Sequence, residues 1–186
     1  AAHEVQVRVH AVSLNYRDLM IADGKYLGTG DASVIPCSDG AGEVLAVGSQ
    51  VTRFRVGDRV MASFFPDWVD GDPTPENTVN SLGGAVDGML AEEVVLHEES
   101  LVDVPAHLSY VEAATLPCAG VTAWNSLFVE GGLRAGDSVL LLGTGGVSMW
   151  ALQLAKAAGL FTIVTSSSDE KLERARALGA SATINY

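Results

Sequence analysis

The chain has 186 residues, 48% of them hydrophobic, and a formal net charge of −12. It is long enough to bury a core and to form one large or two small domains, and it contains neither a long apolar run nor a signal peptide. The acidic charge repels phosphate backbones and argues against a nucleic-acid partner. Two cysteines without a partner motif, Cys37 and Cys118, favour a reducing compartment, so we expect a soluble cytoplasmic protein without a membrane partner.

The front of the chain has the pattern of short strands. Residues 4–12 alternate, with Val5, Val7 and Val9 on one face, which is typical of a half-buried strand. Further strands are predicted at 42–47, 59–64, 91–96 and 100–104, and their spacing by glycine turns indicates a compact β-barrel or sandwich. Residues 66–88, rich in Pro, Gly, Asp and Asn, predict a long loop.

The pattern then becomes helical. Ser109 and Glu112 form a predicted capping box, and a second helix is predicted from Gly120 to about Phe128. From Arg134 onward the pattern is α/β. We therefore place a domain boundary near residue 119, between an all-β domain, 1–119, and a nucleotide-binding domain, 120–186.

A glycine turn stands between a predicted strand and a predicted helix in the second domain. Val139 to Leu142 are branched and apolar, which predicts a parallel strand covered on both faces. Glycines in the turn allow the backbone to approach a ligand closely, and the N–H groups that open the helix favour a pyrophosphate. The predicted cofactor-binding residues here are Gly143, Gly145, Gly146, Val147 and Ser148. The apolar positions Val147, Ala151, Leu154, Ala155 and Ala158 share one helix face, Gly159 ends the helix in a left-handed cap, and a strand follows at 161–165.

Six segments together resemble the medium-chain dehydrogenase/reductase superfamily. In chain order they are SLNYRDLMIADGKY, PCSDGAGEVLAVG, FRVGDRV, LPCAGVTAW, LLGTGGVS and KLERARALGASATINY. The resemblance implies a GroES-like β-barrel catalytic domain followed by the first half of a Rossmann domain. Within the superfamily the chain looks most like the zinc-independent branch, which includes NADPH:quinone oxidoreductases and alcohol dehydrogenase-like proteins. Relatives of this kind are commonly dimers or tetramers, so a homo-oligomer is expected.

The resemblance also bears on zinc. Zinc-dependent members hold the catalytic metal with a cysteine, a histidine and a cysteine at the positions that match Asn15, Ser38 and Cys118. An amide and a hydroxyl are poor zinc ligands, so we expect no zinc, although Cys37 and Asp39 lie beside Ser38 as possible substitutes. The third glycine of the dinucleotide-binding pattern is replaced by Ser148, so we expect the helix to lie slightly farther from its strand.

The expected cofactor is NADP, with NAD as the alternative. An acid at the end of the second strand would bind both ribose hydroxyls of NAD, and Ser166 stands at that position. It is followed by Ser167 and, in the next helix, by Lys171, which suit a phosphate dianion. Ser168 could instead cap that helix, leaving Lys171 as a solvated residue. The resemblance adds Tyr186 near the adenosine phosphate, and Thr122 as a residue that packs against the nicotinamide.

Without zinc, hydride transfer depends on positioning and on hydrogen bonds to the developing oxyanion, which suffices for a quinone or another activated carbonyl acceptor. The resemblance implies that Asn15, Tyr26 and Asp18 are the catalytic residues. Asn15 and Tyr26 are expected near the nicotinamide, where Asn15 would also contact the cofactor, and Asp18 is expected to orient its neighbours. Tyr26 could equally be a turn residue after Asp23. Arg17 departs from the quinone reductase pattern, so the identity of the acceptor is not determined by the resemblance.

Two other interpretations stay open. Relative to the family, the chain begins at a strand that usually has an earlier partner and ends after Ile184-Asn185-Tyr186, so half of the nucleotide sheet is missing. A truncated, noncatalytic module that binds a dinucleotide is therefore one alternative. An alcohol dehydrogenase with an altered zinc site is the other.

Overall fold

A computed structural model describes residues 1–26 and 33–186. The chain divides into two compact units, Ala1–Cys118 and Ala119–Tyr186. In the described part of the chain, no helix combines the length and the apolar character that crossing a bilayer requires.

The first unit is built on one antiparallel sheet. Its strands are β1 (Glu4–Ser13), β2 (Asp39–Val47), β3 (Arg59–Ala62), β4 (Glu93–His97) and β5 (Leu101–Asp103). They are paired in the order β4-β1-β2-β3-β5, and a 3₁₀ turn at Glu98–Ser100 joins β4 to β5. Three short helices accompany the sheet: α1 (Tyr16–Ala22), α2 (Pro75–Thr78) and α3 (Tyr110–Ala113). The end strands β4 and β5 are not paired with each other in the described residues, so the five strands form a sheet and its closure into a barrel stays a prediction.

The alternation predicted for the first strand is confirmed. Val5 and Val7 are fully buried, whereas Arg8 of the same strand is exposed, although β1 is paired with β2 on one side and β4 on the other. Their side chains join a core under the sheet that also contains Val44, Phe54, Val60, Leu82 and Leu101. The period of two in the sequence therefore places one face of β1 against the core and the other toward solvent.

The long segment 66–88 is more ordered than a plain loop. It contains α2, which Thr74 begins by accepting a hydrogen bond from the backbone N–H of Asn77 and which has Pro75 at its first position. Farther on, Leu82 is buried in the core of the unit and pairs with Val86 through an isolated bridge. The segment is thus anchored by apolar burial at its end.

The segment before β2 has an unusual backbone. Cys37 is buried and has a φ of 69°, a left-handed conformation that non-glycine residues rarely adopt. Its carbonyl accepts a 2.7 Å hydrogen bond from the N–H of Met89, and the carbonyl of Pro36 accepts one of 3.0 Å from Leu90. These contacts hold Cys37 in place and determine where Ser38 and Asp39 begin the strand.

The second unit has a parallel sheet and helices. Helical turns that begin at Leu116, before the boundary between the units, run to Glu130, with π-helical segments at Leu116–Gly120 and Asn125–Glu130 on either side of α4 (Val121–Trp124). The helix predicted from Gly120 to Phe128 is therefore part of a longer helical stretch. Beyond it come β6 (Ser138–Leu141), α5 (Gly146–Ala157), β7 (Phe161–Ser166), α6 (Asp169–Leu178) and β8 (Ala182–Asn185), and the parallel sheet has the order β6-β7-β8.

The core of this unit lies on one face of the sheet. Leu141 is buried there with Leu152 and Ala155 of α5 and Val164 of β7. The prediction that β6 is covered on both faces is wrong in the described chain, because Leu140 is 54% exposed. Successive side chains of a strand point to opposite faces, and α5 covers only the face that carries Leu141. The buried side of α5 is also centred on Leu152 rather than on Val147, which is 41% exposed.

A buried glutamate joins three segments of the first unit. Glu98 accepts hydrogen bonds from His3 Nδ1 (2.9 Å), the N–H of Thr52 (2.9 Å) and the N–H of Arg53 (3.0 Å). The hydrogen bond from His3 contributes most to lowering the pKa of Glu98, from 4.5 to about 2. Hydrogen bonds that favour the ionised form produce this direction of shift.

We expect Glu98→Gln to lower the melting temperature at neutral pH, because the amide cannot accept all three hydrogen bonds. A lowered pKa means that the contribution of Glu98 to stability is complete above about pH 4.5 and is lost as the pH falls toward 2. Thermal unfolding at pH 7 and pH 3 should therefore differ less in the variant than in the wild type. Glu99→Gln, which removes an exposed partner of Arg53, is the matched control. Equal pH dependence in Glu98→Gln and the wild type would contradict this role.

Candidate functional site

Asn15 begins helix α1 and faces a buried carboxylate. Its backbone N–H donates a 2.7 Å hydrogen bond to Asp18 Oδ2, which completes a capping box at the start of the helix. Its side-chain Nδ2 donates a 3.0 Å hydrogen bond to Asp39 Oδ2. An ionised carboxylate only accepts hydrogen bonds, so this contact determines the orientation of the Asn15 amide.

Asp39 is the centre of the site in the first unit. It is fully buried at the start of β2. The hydroxyl of Ser38 donates a 3.2 Å hydrogen bond to Asp39 Oδ1, and the backbone N–H of Cys118 also donates to this carboxylate. Asn15, Ser38 and Cys118, the three positions that match zinc ligands in zinc-dependent relatives, therefore all contact one carboxylate.

Burial raises the pKa of the Asp39 carboxyl to about 6. The hydrogen bonds from Asn15, Ser38 and the N–H of Cys118 act in the opposite direction, because they favour the ionised form. The carboxyl consequently changes charge close to neutral pH. A buried group with such a pKa can hold and release a proton under physiological conditions.

The two cysteine thiols of this unit are neutral. Burial, followed by the charge of Asp39, raises the pKa of Cys118 to about 11. Burial also raises the pKa of Cys37, with a further contribution from Asp18. Because the thiolate is the form that attacks and binds metals, both thiols are unreactive in this environment. Within residues 1–26 and 33–186, no three His, Cys, Asp or Glu side chains form a group that could hold a metal ion.

Arg17 is the buried cation of the site, with 9% of its surface exposed. Its Nη1 donates to the carbonyl of Leu82 (3.0 Å) and its Nη2 to the hydroxyl of Ser81 (2.7 Å). The guanidinium carbon lies 4.9 Å from the centre of the Tyr26 ring and 4.6 Å from that of Phe64. Arg17 thus contacts two aromatic rings and connects the start of α1 with the segment 81–82.

The glycine turn of the second unit presents open backbone. Gly143 has a φ of 79°, and its N–H donates a 3.1 Å hydrogen bond to Thr165 Oγ1 on the neighbouring strand. A Cβ added at Gly143 or Gly145 would meet no described atom within 4 Å. Gly145 precedes α5 without a side-chain cap, so the first N–H groups of a twelve-residue helix lack a side-chain partner there. This arrangement suits an anionic ligand.

Ser148 connects the first turn of α5 to the end of the strand. Its hydroxyl donates a 3.1 Å hydrogen bond to the carbonyl of Leu142. The residue that replaces the third glycine therefore has a polar contact of its own at this junction. Val147 and Gly146 are exposed in the same turn.

At the end of β7, some residues predicted to bind the cofactor are buried and others are exposed. Ser166 is 6% exposed, and its hydroxyl accepts a 3.2 Å hydrogen bond from the N–H of Ser168. Ser168 caps α6 by accepting from the N–H of Lys171, so the capping alternative of the sequence analysis is the observed arrangement. Ser167 and the Lys171 side chain are exposed. Tyr186 is adjacent, since its N–H donates to the carbonyl of Ser166 at 3.3 Å.

Comparison with known families identifies both units. Residues 1–106 match the alcohol dehydrogenase GroES-like domain, and residues 146–186 match the zinc-binding dehydrogenase family. The chain belongs to the medium-chain dehydrogenase/reductase superfamily. The second region is Rossmann-like and partial.

Relatives in this superfamily carry alcohol dehydrogenase and quinone oxidoreductase names. A zinc-type alcohol dehydrogenase-like protein of Schizosaccharomyces pombe is 52% identical over 98% of this chain and 54% of its own. A quinone oxidoreductase of Pseudomonas aeruginosa is 39% identical over 98% of this chain and 50% of its own. A crystal structure of a candidate alcohol dehydrogenase from Sinorhizobium meliloti is 52% identical, with a TM-score of 0.92 over 100% of this chain and 55% of that chain. The chain thus spans about half the length of the relatives that it matches.

The superfamily depends on a nicotinamide dinucleotide, and the residues of the second unit fit one. The open space beside Gly143 and Gly145 and the uncapped start of α5 are what a pyrophosphate requires. Thr122 lies exposed on α4. Sequence reasoning overlooked Thr165, which holds the turn through Gly143, although a hydroxyl residue at the end of a strand was a visible signal.

The first unit brings together Asn15, Asp18 and Asp39, and it places Tyr26 against Arg17. Sequence reasoning considered Asp39 only as a substitute metal ligand and did not predict that it would bind the side chains of Asn15 and Ser38. The signal was a single carboxylate in a run of otherwise small, uncharged residues, CSDGAG. Such a buried acid needs several donors.

We expect Asn15→Ala to raise the pKa of Asp39 above about 6, because the variant removes a hydrogen bond that favours the ionised carboxylate. Carbon-13 NMR titration of the aspartate carboxyls measures this directly. Asn80→Ala, which removes an amide from the exposed Asp67 in the same unit, is the matched control.

The raised pKa of Asp39 also predicts how the stability of the protein depends on pH. Since the folded state binds the Asp39 proton more tightly than the unfolded state, the contribution of Asp39 to the free energy of unfolding should fall as the pH rises from 3.8 to about 6. A wild-type pKa near 3.8, or no change in Asn15→Ala, would contradict the assignment.

Proposed function

We propose that this chain binds cofactor and acceptor in an NAD(P)H-dependent oxidoreductase that reduces a quinone or another activated carbonyl compound without catalytic zinc. The observation that carries the proposal is the use of the Asn15 and Ser38 side chains, at two of the three ligand-matching positions, as donors to Asp39. A carboxamide and a hydroxyl are poor zinc ligands compared with a thiolate and an imidazole, and in this chain both side chains donate to a carboxylate. The names of quinone oxidoreductase relatives support the same class of reaction.

The acceptor class follows from the chemistry of these groups. A simple alcohol needs a base or a metal to remove its proton, whereas a quinone or conjugated carbonyl is already electrophilic. When bound, a reduced nicotinamide dinucleotide supplies the hydride. Tyr26 is proposed to donate a hydrogen bond to the acceptor oxygen, and Asn15 and Asp18 hold the start of α1 in position. Asp39, whose pKa burial raises to about 6, is bonded by the Ser38 hydroxyl and takes up a proton as the pH falls through that value.

The preferred cofactor is proposed to be NADP. No acid stands at Ser166 to bind a ribose or to repel a 2′-phosphate. Because the Ser166 hydroxyl is buried and accepts from Ser168, the exposed Ser167, Lys171 and Tyr186 are the better candidates for phosphate contacts. The proposed substrate partner is a small molecule, and the proposed assembly is a homo-oligomer.

The decisive test is turnover by the intact protein. We expect oxidation of NADPH with 1,4-benzoquinone and 2-methyl-1,4-naphthoquinone, together with less than stoichiometric zinc by elemental analysis. Binding of NADPH without turnover of either quinone would favour the noncatalytic module. Equimolar zinc that a chelator removes together with activity would instead favour an alcohol dehydrogenase, the activity named for the 52% identical relative.

We expect Lys171→Ala to weaken NADPH binding about tenfold, because a charge-assisted hydrogen bond to the 2′-phosphate is lost, and to leave NADH binding unchanged. Titration of intrinsic fluorescence with each nucleotide measures both affinities. Arg174→Ala is the matched control on the same helix, where Arg174 is paired with Glu170. An equal loss for NADPH and NADH would refute the phosphate contact.

A further inference from the structure

A buried guanidinium is held in a fixed position by neutral groups. Arg17 donates to the carbonyl of Leu82 and the hydroxyl of Ser81, and its guanidinium carbon lies over the rings of Tyr26 and Phe64. Two hydrogen bonds and two ring contacts restrict the side chain more than a surface arginine is restricted. The charge of Arg17 is therefore placed at a defined point beside the Tyr26 ring.

This charge is not neutralised by a direct ion pair in the described part of the chain. The ion pairs between described residues, counted to 4.0 Å, do not include Arg17. Arginine stays protonated even when buried. Its Nε is also buried and has no partner among the described residues. Burying a cation with neutral partners costs free energy, so a position of this kind needs a reason other than stability.

The surrounding backbone is adapted to the guanidinium. A Cβ at Gly84 would lie 2.2 Å from Arg17 Nη2, so a larger residue there would displace the side chain. The charge of Arg17 also acts on Cys118. Burial and the charge of Asp39 raise the pKa of Cys118, whereas the charge of Arg17 lowers it. At Cys118 the charge of Arg17 therefore opposes that of Asp39, while burial and Asp39 together keep the thiol neutral.

Resting on the function proposed above, we propose that Arg17 is a positioning residue of the reduction, which fixes the Tyr26 ring and stabilises negative charge on the acceptor oxygen. When bound, a reduced nicotinamide dinucleotide would supply the hydride and would itself be oxidised; the acceptor would gain that hydride, and the electron pair of its C=O π bond would move to oxygen. That oxygen becomes an anion and then takes a proton from water. A fixed cation in a low-dielectric interior stabilises such an anion without reorganising.

The proposal has a test that does not require catalysis. The probe is 4-nitrophenol, whose phenolate form has its own absorbance and resembles the acceptor oxyanion. We expect the intact wild-type protein to bind it with its ionisation shifted toward lower pH. Arg17→Met should abolish the shift, and Arg17→Lys, which keeps the charge, should retain part of it. Arg8→Met, which removes an exposed arginine from β1, is the matched control. An absence of saturable binding to the wild type, or an equal shift in wild type and Arg17→Met, would overturn the proposal.

Kinetics separate this role from general binding. Arg17→Met should lower kcat by about a hundredfold, the order observed when an oxyanion contact is lost, with little change in the KM for NADPH. The loss should be larger for 2-methyl-1,4-naphthoquinone, the weaker electrophile, than for 1,4-benzoquinone. A folded Arg17→Met that keeps wild-type kcat would overturn the role of Arg17 alone, whereas a wild type that reduces no acceptor would overturn the proposed function and this role with it.

Arg17→Lys keeps the proposal testable if the methionine variant does not fold. The lysine variant retains a cation but loses the planar stacking, so its kcat should stay within about tenfold of the wild type. Circular dichroism and the melting temperature establish that each variant is folded. A native-like Arg17→Lys with kcat reduced by more than about a hundredfold would overturn the charge-based role.

Discussion

A buried carboxylate needs donors, and in the first unit this requirement determines the geometry around Asp39. The donors come from three separate parts of the chain: the start of α1 at Asn15, the residue Ser38 before β2, and the backbone N–H of Cys118. Because each missing donor would leave a buried polar group unsatisfied, the three segments are held together. The left-handed backbone of Cys37 belongs to the same constraint, since it sets the direction in which Ser38 and Asp39 enter the strand.

The electrostatics of the site follow from this packing. Burial keeps the pKa of Asp39 near neutrality despite its three hydrogen bonds, and it keeps the Cys118 thiol neutral. Arg17 supplies positive charge to the same unit through a stack with Tyr26 and Phe64. The site therefore combines a titrating carboxyl, two neutral thiols and a permanent cation. That combination suits proton and oxyanion chemistry better than thiolate chemistry.

In the second unit the candidate binding site is formed by backbone groups. The turn at Gly143 depends on a positive φ and on the hydroxyl of Thr165, and the start of α5 is left open. The unit thus offers N–H groups to an anion rather than charged side chains. At the end of β7 the candidate ligand contacts are side chains instead. Ser167 and Lys171 are exposed there, whereas Ser166 is buried.

The amino-acid sequence alone determined the local elements. Alternation identified β1, the run 139–142 identified a strand of the parallel sheet, and Gly159 marked the end of α5 with its positive φ. These features depend on residues a few positions apart, so they can be recognised in one sequence. The glycine turn could be located for the same reason.

Only the tertiary structure decided which distant side chains meet. It showed that Asn15 and Ser38 both bind Asp39, that Arg17 contacts Tyr26 and Phe64, and that Leu140 is exposed although Leu141 is buried. Spacing along the chain carries no information about such contacts, because they depend on how β2, α1 and the segment around Leu82 pack. Burial then sets the pKa of Asp39, and burial is a property of the folded chain rather than of its sequence pattern.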